Sequence, residues 1–181
     1  MAKDFIYFAG SLPMLFFGEK SPLSVAAFDE DAARLMDGES CALLKKVTLF
    51  AEDTDGLPAA AKKFYDWETA LRNSTLEVRK KFRADAGDFK RGNPDFYSNI
   101  MPAVTQAANT NDLLEAEKIL DRLRWEALDD LSAGHYFDLD FLAVYRIKLQ
   151  ILAKYANRTV EKGNQALEDI LTDLLEANNS N

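Results

Sequence analysis

The chain has 181 residues, a length that fits one domain, or one domain with a small second lobe, and argues against two full domains. Hydrophobic residues make up 48% and charged residues 29%, so the chain can form a core and intrinsic disorder is excluded. There are only 8 Gly and 5 Pro, which favours long helices over turn-rich β architectures. We therefore predict an all-α protein.

The net charge and the few Cys and His residues argue against several classes of function. The 22 basic and 30 acidic residues give a net charge of −8, and most of the excess acidity lies after residue 92. We expect no nucleic-acid partner, because a phosphate footprint needs a basic surface. One Cys cannot form an internal disulfide, and one His with one Cys cannot build a zinc site on such ligands alone. These features are typical of a cytoplasmic protein.

The first predicted element is the apolar segment 5–17. Its 13 residues are too few to span a bilayer, which takes about 20, so we predict no membrane span. It also lacks the basic start and the cleavage site of a secretory signal. We interpret it as a buried strand-like or irregular segment, with a helix as the alternative, because periodicity cannot decide over so short a stretch.

Two short helices are predicted next from apolar residues at helical spacing. The first begins after Ser24, a good N-cap residue, and ends at Gly38. The second covers residues 40–52 and has Ser40 as its predicted N-cap.

A long helix and a linker follow. Apolar residues three and four apart predict a helix over 58–84, and the Gly, Pro and charged residues of 85–94 predict a linker. We therefore predict a single helical domain over 1–181, with the alternative of two lobes, 1–84 and 95–181.

The C-terminal half predicts an antiparallel bundle of long helices. A short helix over 95–108 is predicted to be interrupted at Pro102, because proline removes a helical hydrogen bond. A strongly amphipathic helix follows over 112–133, with Asp112 as its N-cap. Asp138 is the predicted N-cap of the next helix, which carries a coiled-coil-like apolar seam.

Charge patterns extend this prediction. A last helix is predicted from residue 159 or 164 to about 178. The short connection after residue 133 predicts an antiparallel hairpin, across which basic residues of one helix meet acidic residues of the other. The basic residues are Arg146, Lys148, Lys154 and Arg158, and the acidic ones include Asp121, Glu126, Asp129 and Asp130.

Known catalytic patterns are missing from the sequence. A di-iron bundle needs Glu three residues before His, but Ser132 precedes the single His135 at that spacing. Cys41 has no neighbouring base that would activate a thiolate, so we assign it to packing. No glycine-rich phosphate loop occurs, and no two carboxylates stand out as an acid–base pair. We expect no enzyme activity, no cofactor and no metal, and a structural role for His135.

One basic stretch departs from the acidic balance. It contains Arg79, Lys80, Lys81, Arg83, Lys90 and Arg91. These side chains can bind an acidic partner, or they can complement the dipole at the end of the 58–84 helix. Within that helix Glu68 and Arg72 stand four residues apart, a spacing at which they would pair on the surface.

Several short blocks together resemble a bacterial family of uncharacterised helical proteins encoded among V-type ATPase subunits. The most specific are WETALRN at 67–73 and GHYFD at 134–138, the second followed by KLQIL at 148–152. Weaker blocks are YFA at 7–9, SLP at 11–13, EAE at 115–117 and LDR at 120–122. The family is remotely similar to the C subunit of archaeal-type ATPases, called d in eukaryotes, an all-α socket between the central shaft and the membrane rotor ring.

The resemblance implies a non-catalytic subunit or accessory component of a rotary, ion-translocating V-type ATPase. Its partners would be the shaft and rotor-ring subunits, and it would lie at the inner membrane through the complex. Candidate partner contacts are Trp67, Glu68, Arg72, Asn73, Arg79, Lys80, Lys81 and Arg83, with core packing as the other reading of Trp67. The alternatives are an adaptor unrelated to ATPases and, third, a carboxylate enzyme with a supplied metal.

Overall fold

The computed structural model describes residues 5–51, 53–82, 89–92 and 94–156. Within these ranges the chain forms seven helices and no strand, so the predicted all-α fold is confirmed. The helices are α1 (Ile6–Ser11), α2 (Val25–Leu35), α3 (Gly38–Lys46), α4 (Ala59–Phe82), α5 (Ile100–Ala108), α6 (Leu113–Ser132) and α7 (Leu139–Ala156). None of the helices in the described ranges is both long and apolar enough to cross a membrane.

The N-terminal segment is helical in its first part, as the alternative prediction had it, and irregular in its second part, so only the strand-like interpretation is wrong. Residues Ile6–Ser11 form α1, and the residues that follow, up to 16, have no regular structure. Only Phe8 and Ala9 of α1 are buried, whereas Tyr7 is 78% exposed, so the segment is not buried as a whole. With no strand alongside to pair with, the backbone satisfies its hydrogen bonds within a helical turn.

The starts of α2 and α3 depend on capping side chains. Ser24 Oγ accepts a hydrogen bond from Ala27 N at 3.1 Å, as predicted. At α3 the predicted N-cap was wrong: Asp37, not Ser40, is the cap, and its carboxylate accepts from Ser40 N at 3.1 Å. Because this cap lies further forward, Gly38 begins α3 instead of ending α2.

A side chain of α7 sets the end of α3, which stops at Lys46 and not at residue 52. Gln150 Oε1 accepts from Leu49 N at 2.7 Å, and Gln150 Nε2 donates to Val47 O at 3.1 Å. The amide of Gln150 therefore binds the backbone of residues 47–49 just after the end of α3. That stretch leads from α3 towards α4.

The long helix α4 has 24 residues and spans about 36 Å. The next helix, α5, begins at Ile100, which places Pro102 in its first turn. A first-turn N–H has no helical partner in any case, so proline is tolerated there. The predicted interruption at Pro102 is therefore wrong, and so is the earlier start of that helix.

The helices α6 and α7 form the predicted antiparallel hairpin. Asp112 caps α6 by accepting from Leu114 N at 2.8 Å, and Asp138 caps α7 by accepting from Phe141 N at 2.9 Å. Ion pairs confirm the charge match for Lys148 with Asp129 and for Lys154 with Asp121. Arg146 differs, since it binds both carboxylate oxygens of Asp29 on α2 at 2.8 Å.

A single cluster of buried side chains draws on all seven helices. Its fully buried members include Phe8, Phe28, Leu44, Phe64, Ile100, Leu128 and Leu142, one from each helix in chain order. Helix α4 runs antiparallel to α6, and α6 runs antiparallel to α7. The predicted helix over 159–178 and Arg158 lie outside the described residues, and the division into lobes at 85–94 stays a prediction.

Candidate functional site: a groove with a charged floor

A cluster of buried charges ties α4 to α6. The Arg124 guanidinium binds both oxygens of Glu68, with Nε–Oε2 and Nη2–Oε1 distances of 2.8 and 2.9 Å. A third nitrogen, Nη1, lies 2.8 Å from Asp121 Oδ1. All three side chains are buried, and Asp121 has no exposed surface. Two-point binding of this kind fixes the guanidinium in one orientation.

Helix α7 completes this cluster. Lys154 Nζ lies 2.7 Å from Asp121 Oδ2, and Tyr155 OH donates to the same oxygen at 2.7 Å. Lys154 also pairs with Glu117 at 2.9 Å, and Arg72 pairs with Glu68 at 3.1 Å. The cluster holds three carboxylates and three cations, so its charges balance. Within the described residues, no buried side-chain polar atom lacks a hydrogen bond.

These contacts also affect the pKa of Arg124. Burial alone would lower the pKa of Arg124, but the hydrogen bonds and charges of Glu68 and Asp121 outweigh it. The pKa of Arg124 is therefore raised, and its guanidinium stays charged. A charged Arg124 can therefore act as a fixed link between α4 and α6.

A groove of about 970 Å³ opens beside this cluster, and most of its lining residues belong to α4, α5 and α6, with Lys154 from α7. Its floor carries Arg124, Lys154 and Glu117, and its rim carries Phe50 and Arg79. The apolar walls include Val78, Val104, Ala107, Leu113, Ala116 and Leu120. The groove therefore combines apolar walls with charged groups, a composition suited to an amphipathic helix.

Two side chains at the mouth of the groove are apolar and exposed. Leu113 is 84% exposed, and Phe50 is about half exposed. The Phe50 ring lies under Arg72 at 4.8 Å and near Arg124 at 5.6 Å, measured from guanidinium carbon to ring centroid. These cation–π contacts hold the ring at the rim. Its position is thus fixed although much of its surface is open.

The structure separates the predicted contact residues of the 67–73 block. Trp67 is buried and stacks on Phe64, with ring centroids 6.0 Å apart. Glu68 is buried in the charge cluster, so neither side chain is available at this surface. Arg72 stays partly exposed, and the Asn73 amide binds the backbone N–H and C=O of Arg91 at 3.0 and 2.8 Å. Burial thus removes Trp67 and Glu68 from the candidate surface.

The basic residues at the end of α4 lie closer to solvent. Arg79 and Lys81 are exposed, and Lys80 is partly exposed. Arg79 also lines the groove. Lys90 pairs with Glu77 at 2.5 Å, which neutralises one charge of the basic stretch. Arg83 lies outside the described residues.

Sequence reasoning found two ion pairs of the cluster but not its burial. The Glu68–Arg72 pair forms as predicted, but it is not a surface pair, because Glu68 is buried and also binds Arg124 on another helix. The sequence did contain a signal for this burial. Arg124 lies three residues after Asp121 and four residues before Leu128, which places both charged residues on the same face of α6 as a buried leucine.

A second charged group lies at the α6–α7 connection. His135 Nδ1 is 2.6 Å from Asp138 Oδ2, and ligand atoms of His135, Asp138 and Asp140 lie within 4.8 Å of one another. These residue types can hold a metal ion. Both carboxylates already have structural bonds, since Asp138 caps α7 and Asp140 accepts from Ala60 N at 2.6 Å. The geometry therefore favours the predicted structural role for His135, with Asp138 as its partner.

Burial and hydrogen bonding act in opposite directions on Asp138. Burial raises its pKa, whereas hydrogen bonds from His135 and Phe141 N, together with the charge of His135, lower it. The net effect holds the pKa of Asp138 below its usual value. The connection therefore favours an ionised Asp138.

An exposed aromatic patch adjoins this connection. Phe5 N donates to Phe137 O, which brings the start of α1 against the loop between α6 and α7. The exposed side chains of Ile6, Tyr7, Tyr136 and Phe137 belong to these two joined segments. Two blocks of the resemblance, 7–9 and 134–138, thus lie close together and present apolar surface.

A family model described as "Protein of unknown function (DUF2764)" matches residues 59–178, well over half of the chain. The chain belongs to this family. The match covers α4 to α7 and so includes the residues that line the groove, apart from Phe50. The expectation of an uncharacterised family is confirmed. No curated protein and no solved structure matched the chain.

Proposed function

We propose that the chain is a non-catalytic subunit or accessory component of a rotary V-type ATPase, in the position of the C subunit between shaft and rotor ring. The observation that carries this proposal is the resemblance of the blocks at 67–73 and 134–138 to proteins encoded among V-type ATPase subunits. The all-α architecture agrees with the all-α socket that the resemblance implies.

The buried charge cluster supports this proposal through its mechanical effect. A part that joins a shaft to a ring has to transmit torque without changing shape. The cluster connects three helices. Arg124 on α6 binds Glu68 on α4, and Asp121 on α6 binds Lys154 on α7. Buried, saturated ion pairs resist separation because either partner alone would leave an uncompensated charge.

Two different surfaces at opposite ends of the bundle also support a connecting role. At one end α4 presents Arg79 and Lys81 beside the groove. At the other end, where Asp140 binds Ala60 N, the loop presents Tyr136 and Phe137. A basic surface and an aromatic surface suit two different partners.

Crosslinking at native expression level tests the proposal. An affinity-tagged chain is purified after treatment with an amine-reactive crosslinker, and its neighbours are identified by mass spectrometry. We expect crosslinks from Lys80 or Lys81 to shaft or rotor-ring subunits. Recovery of no ATPase subunit, under conditions that keep the ATPase intact, would refute the proposal.

A charge-reversed variant sharpens this experiment. Arg79→Glu with Lys81→Glu should reduce recovery of ATPase subunits, since the basic end of α4 is the proposed contact. Lys62→Glu with Lys63→Glu is the matched control, because these exposed lysines lie at the other end of α4. Equal losses in both variants would count against a specific contact at the basic end.

The same experiment separates the alternatives. An adaptor unrelated to ATPases would be crosslinked to other proteins, and an electrostatic contact through its acidic half would weaken as salt rises. A carboxylate enzyme with a supplied metal would bind that metal in stoichiometric amounts in a calorimetric titration. His135, Asp138 and Asp140 are the described residues at which such binding is to be tested.

A further inference from the structure

The segment 5–18 lies along α7 and runs in the same direction as that helix. Three contacts hold it there, in chain order: Phe5 N donates to Phe137 O, Tyr145 OH donates to Pro13 O at 2.7 Å, and the centroid of the Phe17 ring lies 6.3 Å from that of Tyr155. From residue 137 to residue 155 the chain advances about 27 Å, because an α-helix rises about 1.5 Å per residue. The segment therefore covers most of the length of α7.

This segment has an inner side and an outer side. Phe8 and Ala9 are buried, and Leu12, Leu15 and Phe17 pack against the core. The large exposed side chains of the segment adjoin two others from the loop between α6 and α7. Together they form what we call the apolar stripe: Ile6, Tyr7, Met14, Phe16, Tyr136 and Phe137, which are 45% to 79% exposed.

The absence of charge from segment 5–18 matters for self-association. The segment contains no charged residue, although 29% of the chain is charged and its net charge is −8. Two copies of so acidic a chain repel each other over most of their surfaces. A twofold dimer brings the same surface of each copy together, so a surface with like charges opposes it and an uncharged one does not.

The apolar stripe is also large enough to form a stable interface. With about 200 Å² for a fully exposed large side chain, the exposed fractions of its six residues amount to roughly 750 Å². A stable interface of standard size buries about 800 Å² on each partner, and homodimer interfaces are more apolar than others. One stripe on each of two copies therefore provides nearly the whole area that a dimer needs.

A lipid surface fits the apolar stripe less well. Segments that bind at a membrane surface combine apolar side chains with Lys and Arg, which meet the lipid headgroups. Segment 5–18 contains neither Lys nor Arg, and the net charge of the chain is repelled by anionic lipids. A second copy of the chain is therefore the better match for the stripe.

We propose that the apolar stripe is the interface of a homodimer whose two copies are related by a twofold axis. Tyr7 and Met14, at 78% and 79% exposure, lose the most surface to the other copy. In the proposed ATPase setting the second copy would be the partner of the aromatic end. The inference does not depend on that role, because the purified chain alone tests it and no ATPase subunit is present.

Sedimentation equilibrium of the purified full chain tests the proposal. We expect the measured mass to rise with concentration from 20.3 kDa to twice that value. Interfaces of this size give dissociation constants that range from micromolar to picomolar. A mass that stays at 20.3 kDa up to roughly 100 µM would therefore overturn the proposal.

Two glycine substitutions show whether the dimer forms through the apolar stripe. Gly10 is an exposed residue of α1, between Tyr7 and Met14 in the chain, and no atom of the described residues outside its local backbone lies within 4 Å of where its Cβ would be. Gly10→Glu therefore places a charge in the interface without disturbing the fold, and we expect the dissociation constant to rise roughly hundredfold.

Gly38→Glu is the matched control for this substitution. Gly38 is equally exposed and equally open, also lies in a helix, and belongs to α3, outside the apolar stripe. Gly38→Glu adds the same charge and should leave the dissociation constant unchanged. Circular dichroism of both variants checks that the helices persist. Equal dissociation constants in the two variants would place the interface elsewhere and overturn the proposal.

Apolar contacts and the alternative occupant are tested separately. Tyr7→Ser or Met14→Ser should weaken the dimer roughly tenfold, whereas Leu113→Ser, at an 84% exposed position of α6, should not. Phosphatidylcholine vesicles provide the other test. A monomeric chain that sediments with these vesicles, and no longer does so in Gly10→Glu, would assign the stripe to a lipid surface and overturn the proposal. A dimer that stays in solution supports it.

Discussion

The two ends of the α6–α7 hairpin hold charges in opposite ways. At the open end Asp121 is fully buried and binds two cations and a tyrosine hydroxyl. At the connected end Asp138 is partly exposed and binds His135 and a backbone N–H. The first carboxylate is saturated with partners away from water, whereas the second stays in contact with solvent and has fewer partners. The penalty for losing a partner is therefore expected to be larger at the buried end.

Removing the buried charge should have the largest effect. In Asp121→Asn, the buried Arg124 and the partly buried Lys154 have one carboxylate fewer, and we expect unfolding to require about 3–5 kcal/mol less. Urea denaturation measures this difference. The control is Asp129→Asn, since Asp129 also pairs with a lysine of α7 but its side chain is 57% exposed. Asp129→Asn should lower the free energy of unfolding by no more than about 1 kcal/mol. Equal losses of stability in the two variants would contradict the contrast between buried and exposed carboxylates.

Paired substitutions at the same end sharpen the argument. Glu68→Met or Arg124→Met alone leaves a buried charge without its bidentate partner, and each should cost about 3 kcal/mol. The double variant removes both charges and fills the space with apolar atoms, so it should be more stable than either single variant. Denaturation of all three gives the coupling free energy. If the double variant loses as much unfolding free energy as the two single variants added together, the interaction between Glu68 and Arg124 contributes nothing to stability.

The connected end should respond to pH. Because the pKa of Asp138 is lowered in the folded state, its ionised form contributes stability that is present above its unfolded value, near 3.8, and lost as pH falls through the folded value. Asp138→Asn keeps a good capping residue but removes the charge. We expect the variant to be less stable than the native chain at pH 7, with the difference shrinking below about pH 4.

The partner of Asp138 can be tested directly. NMR titration of the Asp138 carboxyl should give a pKa below the usual aspartate value, and His135→Ala should move that pKa upward. The reason is that a hydrogen bond and a charge favouring the ionised form are lost. An unchanged value in His135→Ala would assign the lowered pKa to the capping bond with Phe141 N alone.

A smaller effect is expected at alkaline pH, where burial is the largest cause of the pKa shifts of two tyrosines. Burial raises the pKa of Tyr145, on α7 between the two ends, to about 12, and it raises that of Tyr65 to about 12 as well. A raised tyrosine pKa favours the neutral form in the folded chain, so stability should fall as pH rises above about 10. Absorbance titration should show a late phase that Tyr145→Phe reduces.

Local sequence signals predicted the helices well, and the charge cluster poorly. Apolar spacing found α4, α6 and α7, and the caps at Ser24, Asp112 and Asp138 followed from residue type. The hairpin prediction set Lys154 opposite acidic residues that include Asp121, 33 positions earlier, but it did not indicate that Asp121 is buried. Glu68 is paired with Arg124, 56 positions away, and no local pattern contains such a partner. The same limit explains α3, whose end is set by Gln150.

The groove was also beyond sequence reasoning. Arg79 and Lys81 were identified from charge alone, but their position beside apolar walls follows from the way α5 and α6 pack against α4. Trp67 shows the converse: an aromatic residue in a distinctive block suggested contact, and the fold places it in the core. Residue type indicates what a side chain can do, whereas packing determines whether it meets solvent.

The bonds from Gln150 also constrain the order in which the chain can fold. The backbone of residues 47–49 is bound by a side chain about a hundred positions later, and Arg146 and Tyr145 likewise bind Asp29 and Pro13. While the chain is being synthesised, α1 to α3 therefore have no α7 to pack against until most of the protein has been made. Contacts at such separations slow folding, and the apolar faces of these first helices stay open to other proteins during that interval.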